Sequence, residues 1–113
     1  MAPASRGDVW MVNLSPTIGH EQAGQRPALI VSVDQLNKSA AELVIVMPLT
    51  SREKRIRSHV QVDAGEAGLK IRSFIKCEDV RSIATRRLEQ RLGSVRPRTL
   101  EDVENRLRFL LGL

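Results

Sequence analysis

Tyrosine is missing from this chain, and the other aromatics amount to Trp10, Phe74 and Phe109. A core so poor in aromatics has to be built from Val, Ile and Leu. A surface so poor in them offers few platforms on which nucleobases can stack. A single cysteine, Cys77, excludes an intrachain disulfide and is compatible with a reducing compartment. It lies in an apolar strand pattern, where a free thiol is usually packing. Two histidines, His20 and His59, with no C-x-x-C or H-E-x-x-H spacing argue against a zinc site. No metal or other cofactor is expected. The longest apolar run, Leu43 to Leu49, is far too short to cross a bilayer. The N-terminus carries Arg6 and Asp8 and lacks the apolar stretch of a signal peptide. A soluble, cytoplasmic protein is the expectation. Gly19 and Gly24 are followed by Gln25-Arg26 and not by Lys-Ser/Thr, so nucleotide-triphosphate chemistry is not indicated.

What is present points toward an anionic partner. Lys and Arg total 18 against 13 Asp and Glu, a formal charge of +5. Nucleic acid is the common partner for such an excess, although a modest positive charge also serves solubility alone. At 113 residues the chain is read as one domain, 1–113, with residues 1–6 as a loose leader.

Strands are expected at Val9–Leu14 and, opened by Pro27, at Ala28–Val33. Between them Ser15–Gln25 is a long loop, and structureless loops of that length are often functional. Asp34–Ala41 suggests a helical turn, and Glu42–Met47 a third strand ended or edged by Pro48. Ser51–Ser58 is a basic loop with Arg52, Lys54, Arg55 and Arg57, and either tracks phosphates or is simply solvated. His59–Asp63 alternates as a half-buried strand, with His59 structural. Ala64–Gly68 reads as a turn. Ser73–Cys77 and Val80–Ile83 are further strands, and Arg86–Leu92 a short helix ending at Gly93. Thr99, as N-cap with Asp102 as its partner, would start a C-terminal helix. Its apolar stripe is Leu100, Val103, Leu107, Leu110 and Leu111. The fold class is therefore β-rich α+β: a small, strongly bent antiparallel sheet or barrel with a C-terminal helix.

The chemistry left to this chain is that of Arg, Thr, Ser, Glu and His at strand ends. RNA carries its own nucleophile, the 2′-hydroxyl. A protein that supplies a base, an acid and positive charge on the phosphate can cut it without a metal, leaving a 2′,3′-cyclic phosphate and a 5′-hydroxyl. The rigid fork of Arg suits the charge role.

The residues Arg6-Gly7-Asp8-Val9-Trp10, Glu21-Gln22-Ala23-Gly24-Gln25-Arg26-Pro27-Ala28 and Pro48-Leu49-Thr50-Ser51 make the chain resemble the MazF/PemK family of toxin endoribonucleases. The likeness continues through Gly68-Leu69, Ser73, Arg81-Ser82-Ile83 and Arg87-Leu88 to Leu92-Gly93. The resemblance implies a compact SH3-like barrel of the CcdB/MazF kind, forming a homodimer. It implies sequence-selective cleavage of single-stranded RNA, mRNA included, and inhibition by a cognate antitoxin with an acidic tail. DNA binding together with that antitoxin also follows from it.

By position, Arg26 and Thr50 match the family's catalytic pair. Arg26 suits phosphate stabilisation, because its guanidinium stays charged. Thr50 is otherwise an ordinary turn hydroxyl. Glu21 is the candidate base, since a neighbouring phosphate raises a carboxylate's pKa. RNA contacts are expected from His20, Gln22, Ser51, Arg52, Ser73, Glu78 and Asp79. Asp79 departs from the family, which usually has Gln there. An ionised Asp only accepts hydrogen bonds, so the base preference would differ. Trp10 is expected in the core or a dimer interface. The competing readings are a non-catalytic gyrase poison on the same fold, as in the CcdB toxins, and a passive RNA-binding barrel. The E-Q-x-G-x-R-P loop favours the ribonuclease.

Overall fold

The computed structural model describes residues 3–15 and 24–113. Apolar residues of both parities in the central strands give the sheet two buried faces. On one face Val9, Leu29, Met47, Leu49 and Ile75 pack with Val103. On the other, Trp10, Val12, Ala28, Ile30, Val44 and Val46 pack with Ala4 and Leu14. The strands are β1 (Asp8–Asn13), β2 (Gln25–Ile30), β3 (Leu43–Thr50), β4 (His59–Val62), β5 (Ser73–Lys76), β6 (Arg81–Ala84) and β7 (Leu88–Ser94). Among the described residues two α-helices accompany them, α1 (Asp34–Asn37) between β2 and β3 and α2 (Pro97–Leu111) after β7. All strand pairs are antiparallel, in the order β4-β5-β3-β2-β1-β7, with β6 also on β3. This is the bent antiparallel sheet with a C-terminal helix that the strand pattern predicts. No helix among the described residues is long and apolar enough to cross a membrane.

Several expectations need correction. β2 begins at Gln25 and ends at Ile30, so Pro27 is its third residue. Pro48 lies inside β3 and does not end it. On one edge β3 pairs with β6 at Leu43–Val46 and with β5 at Leu49–Thr50. Met47 and Pro48 fall between those two ladders, where a missing N–H interrupts no continuous pairing on that edge. The helix expected at Arg86–Leu92 is instead a 3₁₀ turn at Thr85–Arg87 followed by β7. Leu88 and Leu92 carry helical spacing, but pairing with β1 decides the matter, as tertiary context does for short segments. The leader is not loose from residue 4 on. Ala4 is buried, and the Arg6 guanidinium pairs with Glu104 at 2.7 Å.

Thr99 does not cap α2. The N-cap is Arg96, and Pro97 opens the helix, where a missing N–H costs nothing. Buried Glu66 accepts from the Arg96 N–H at 3.0 Å and from the Thr99 hydroxyl at 2.7 Å. A carboxylate there also complements the positive end of the helix dipole. Asp102 is exposed. Val103 is buried with Leu100 and Leu107 beside it, whereas Leu110 and Leu111 of the expected stripe are exposed.

The opposite ends of the strand order meet through a 3₁₀ turn, Glu66–Gly68, packed on β7. The approach is close. A Cβ on Gly68 would lie 2.1 Å from the Leu92 carbonyl oxygen, and one on Gly93 would lie 2.6 Å from the Ala67 carbonyl carbon. Gly68 also has φ +72, and Gly65 has φ +94 but open space around it. The two therefore separate backbone strain from contact. Gly68→Ala is expected to lose about 1–3 kcal/mol more stability than Gly65→Ala in urea melts. Equal losses would show that the seam is not tightly packed.

Candidate functional site

Arg26 and Thr50 reach one place because of sheet register. β2 and β3 pair Ala28 with Pro48. Two residues further on in each direction, the same antiparallel register sets Arg26 across from Thr50. On the other edge Thr50 pairs with Phe74 of β5. Side chains two apart on a strand share a face, so Lys76 lies on the face of Phe74 and Thr50.

The neck of the preceding loop is closed. The Leu14 N–H donates to the Gly24 carbonyl at 2.9 Å, and the Gly24 N–H to the Ser15 hydroxyl at 2.9 Å. Gly24 has φ +76, a conformation glycine adopts without strain. Arg26 thus follows an anchored turn and is exposed.

A polar trough of about 360 Å³ is lined by Arg26, Thr50, Ser51, Arg52, Lys54 and Lys76. No carboxylate lines it among the described residues. Four cations and two hydroxyls suit an anion, above all a phosphate. The Thr50 hydroxyl accepts the Arg52 N–H at 3.2 Å, which still leaves its own O–H to donate. A second, more apolar cavity of about 510 Å³ opens beside the trough and shares Arg26, Thr50 and Ser51 with it. Its walls include Met11, Pro27, Leu49 and Leu92, with Gln25, Ser73 and Gln90 as polar groups. It is large enough to admit a nucleobase beside an anion held in the trough. A larger cavity, about 530 Å³, is lined by residues such as Asn37, Glu42 and Arg86, none of them in the trough or its neighbour.

The expected RNA-contacting residues are distributed unevenly. Ser51 and Arg52 line the trough. Ser73 lines the neighbouring cavity but is itself buried, its hydroxyl donating to the Ile71 carbonyl at 3.1 Å. Glu78 lines neither cavity. It accepts from the Ser58 hydroxyl at 2.8 Å and from His59 Nε2 at 3.1 Å. Asp79 accepts from Arg81 at 2.8 Å, with the Lys76 ammonium 3.8 Å away. His20, Glu21 and Gln22 lie outside the described residues.

In the basic loop, Arg52 and Lys54 line the trough. Glu53 pairs with Arg72 at 3.2 Å, and Arg57 stacks over Phe109 at 5.1 Å. Trp10 is buried, with its indole N–H on Asp8 at 3.3 Å, as a core residue. The residue that motif reasoning missed is Lys76. Its signal was a charge interrupting the apolar run Ser73-Phe74-Ile75-Lys76-Cys77.

Burial and its neighbours set two acid–base properties. Burial first, and then the adjacent Glu78 carboxylate, push the Cys77 thiol from 9.0 up to about 12. For Glu78, partial burial pushes upward, but hydrogen bonds from its backbone N–H, Ser58 and His59 outweigh it. Its carboxyl ends below the ordinary 4.5.

A family model described as the PemK-like, MazF-like toxin of type II toxin-antitoxin system matches residues 5–111. Endoribonuclease MazF9 of Mycobacterium tuberculosis is 35% identical over 113 residues, covering 96% of each chain. The crystal structure of MazF (Form-I) from Deinococcus radiodurans is similar with a TM-score of 0.90, at 29% identity and over 100% of both chains. The MazE-MazF structure (Form-II) from the same organism gives a TM-score of 0.84 at 30% identity, over 100% of this chain and 99% of that one.

Two predictions follow from the acid–base properties. Cys77 should resist iodoacetamide at pH 8 in the native state and react readily in denaturant. Native-state labelling at the unfolded rate would contradict its burial. Because the Glu78 carboxyl is depressed, its stabilising contribution is present above about pH 4.5 and is lost as pH falls through the folded value. Glu78→Gln should therefore flatten the acid limb of the stability curve, read from melting temperature against pH. An unchanged limb would mean that other carboxylates carry it.

Proposed function

The chain belongs to the PemK-like, MazF-like toxin family of type II toxin–antitoxin systems. On that premise we propose that it is an endoribonuclease that cuts single-stranded RNA, mRNA included, sequence-selectively and without a metal. In this reading it leaves 2′,3′-cyclic phosphate and 5′-hydroxyl ends. It acts as a homodimer and is restrained by a cognate antitoxin whose acidic tail complements the basic trough.

The observation that carries the reading is the trough itself. Arg26 and Thr50, distant in sequence, line it together with Ser51, Arg52, Lys54 and Lys76. Chemically, the RNA 2′-hydroxyl attacks the adjacent phosphorus, forming the O2′–P bond as the P–O5′ bond breaks. A base takes the 2′ proton, and an acid returns one to the departing 5′ oxygen. Negative charge builds on the non-bridging oxygens. Arg26 stabilises that charge, and Thr50 donates its O–H to orient the phosphate or the nucleophile. Glu21, carried by the E-Q-x-G-x-R-P motif, is the proposed base. The neighbouring cavity, with Gln25, Ser73 and Gln90 at its polar points, is suited to hold a base next to the cut.

The test is incubation with a long unstructured RNA in EDTA, with sequencing of the product ends. Cutting at preferred sites, with cyclic phosphate termini, is expected. Loss of cutting in EDTA would remove the metal-free mechanism, and binding without cutting would favour a passive RNA binder. Arg26→Ala should lower the cleavage rate by roughly 10²–10³-fold while its melt stays cooperative. Normal cutting by that variant would sink the site assignment.

A further inference from the structure

We propose that Gln90 is a specificity-determining residue that reads a nucleobase adjoining the scissile phosphate; the inference deepens the ribonuclease reading above and rests on it. Gln90 lies on β7 and pairs with Met11 of β1, which pairs in turn with Pro27 of β2. Residues directly opposite each other in an antiparallel sheet project from the same face. The Gln90 amide therefore stands in one row with Met11 and Pro27, and all three line the more apolar cavity together with Leu49 and Leu92. Leu49 is buried, Met11, Pro27 and Leu92 are half-buried, and Gln90 is exposed. The row makes an apolar floor with an amide at its margin. Arg26 and Thr50 line the same cavity from the trough side.

Two of the cavity's other polar groups are already engaged. Gln25 Nε2 donates to Glu89 at 3.3 Å, and the Ser73 hydroxyl donates to the Ile71 carbonyl at 3.1 Å. Lys70, exposed at the rim, can only donate. Among the described residues the Gln90 side chain has no hydrogen-bond partner, so its carbonyl and both its N–H donors are available to a ligand. Single-stranded RNA presents unstacked bases whose edges can be read by hydrogen bonds. Among the described residues no aromatic side chain lines the cavity. Ring stacking, which tolerates every base, is therefore not what the cavity offers. An amide offers a donor and an acceptor side by side, and so distinguishes one base edge from another. The walls are also well fixed. Gly68 and Leu92 both line the cavity, and a Cβ on Gly68 would lie 2.1 Å from the Leu92 carbonyl oxygen. A contact built on strands and a close-packed seam holds its geometry better than one on a loop. A phosphate held in the trough would set the position of the RNA, and Gln90 would then meet the edge of the neighbouring base.

The experiment uses RNA oligonucleotides spanning a mapped cleavage site, one set varying the nucleotide 5′ of the cut and another the nucleotide 3′ of it. Single-turnover cutting rates are compared for wild type, Q90T and Q90E. Threonine suits an exposed strand position and lacks the amide. Wild type is expected to prefer one base at one of the two positions. In Q90T that preference should fall roughly five- to hundred-fold, while the preference at the other position is kept. Q90E loses the donors and should gain relative rate on cytosine at the affected position, because a carboxylate accepts from the cytosine amino group. Ratios within a set cancel any uniform effect of the added charge. If Q90T melts below the assay temperature, Q90E carries the measurement. A folded variant that keeps the wild-type preferences, or that slows equally on every oligonucleotide, overturns the Gln90 assignment alone. A wild type that cuts but is indifferent to both flanking bases does the same. Wild-type protein that does not cut RNA overturns the ribonuclease reading and this inference with it.

Discussion

β3 is the strand on which the rest of the structure depends, because it is hydrogen-bonded to three others. It pairs with β2 along one edge and with β6 and then β5 along the other. Its alternating side chains fill both cores, Met47 and Leu49 on one face and Val44 and Val46 on the other. A one-residue slip would send each set into the opposite core, where its side chains do not fit, so the register is strongly specified. Thr50, at its end, inherits that precision. Arg26 and Lys76 approach Thr50 from the strands on either side. The trough is thus a row across three adjacent strands, fixed by the same packing that stabilises the fold.

Two buried carboxylates hold the remaining pieces to this sheet. Asp8 accepts from the Ser5 N–H at 2.9 Å and the Trp10 indole at 3.3 Å, and pairs with Arg91 at 3.2 Å. Gly7, at φ +94, lets its N–H reach the Ile30 carbonyl at 2.8 Å. The Arg6-Gly7-Asp8-Val9-Trp10 motif therefore secures the N-terminal segment to β2, β7 and α2. Glu66 does the corresponding work at the start of α2. Removing either carboxylate would leave several buried donors unpaired, which is costlier than losing a surface ion pair.

The excess positive charge is divided between structure and site. Arg6, Arg81, Arg91 and Arg96 are engaged with carboxylates, and Arg57 and Arg72 lie over Phe109 and Phe74. Arg26, Arg52, Lys54 and Lys76 converge on one trough. The net charge of +5 alone could not distinguish these uses, because composition does not say which cations share a face.

The sequence by itself determined the strand-rich class and the terminal helix, and its motifs carried the resemblance from which Arg26 and Thr50 are proposed as a pair. Period-two alternation and the ordered E-Q-x-G-x-R-P and P-x-T-S motifs are local properties, readable along the chain. Tertiary structure decided what depends on partners distant in sequence. The Leu88–Ser94 segment became a strand because β1 offered it a ladder. Pro48 was admitted to the middle of β3 because the neighbouring strand changes there. Thr99 was drawn from capping duty by a carboxylate 33 residues away. Asp79 was taken up by Arg81 and Lys76, and Lys76 entered the trough, because a buried charge takes its meaning from the groups folded around it.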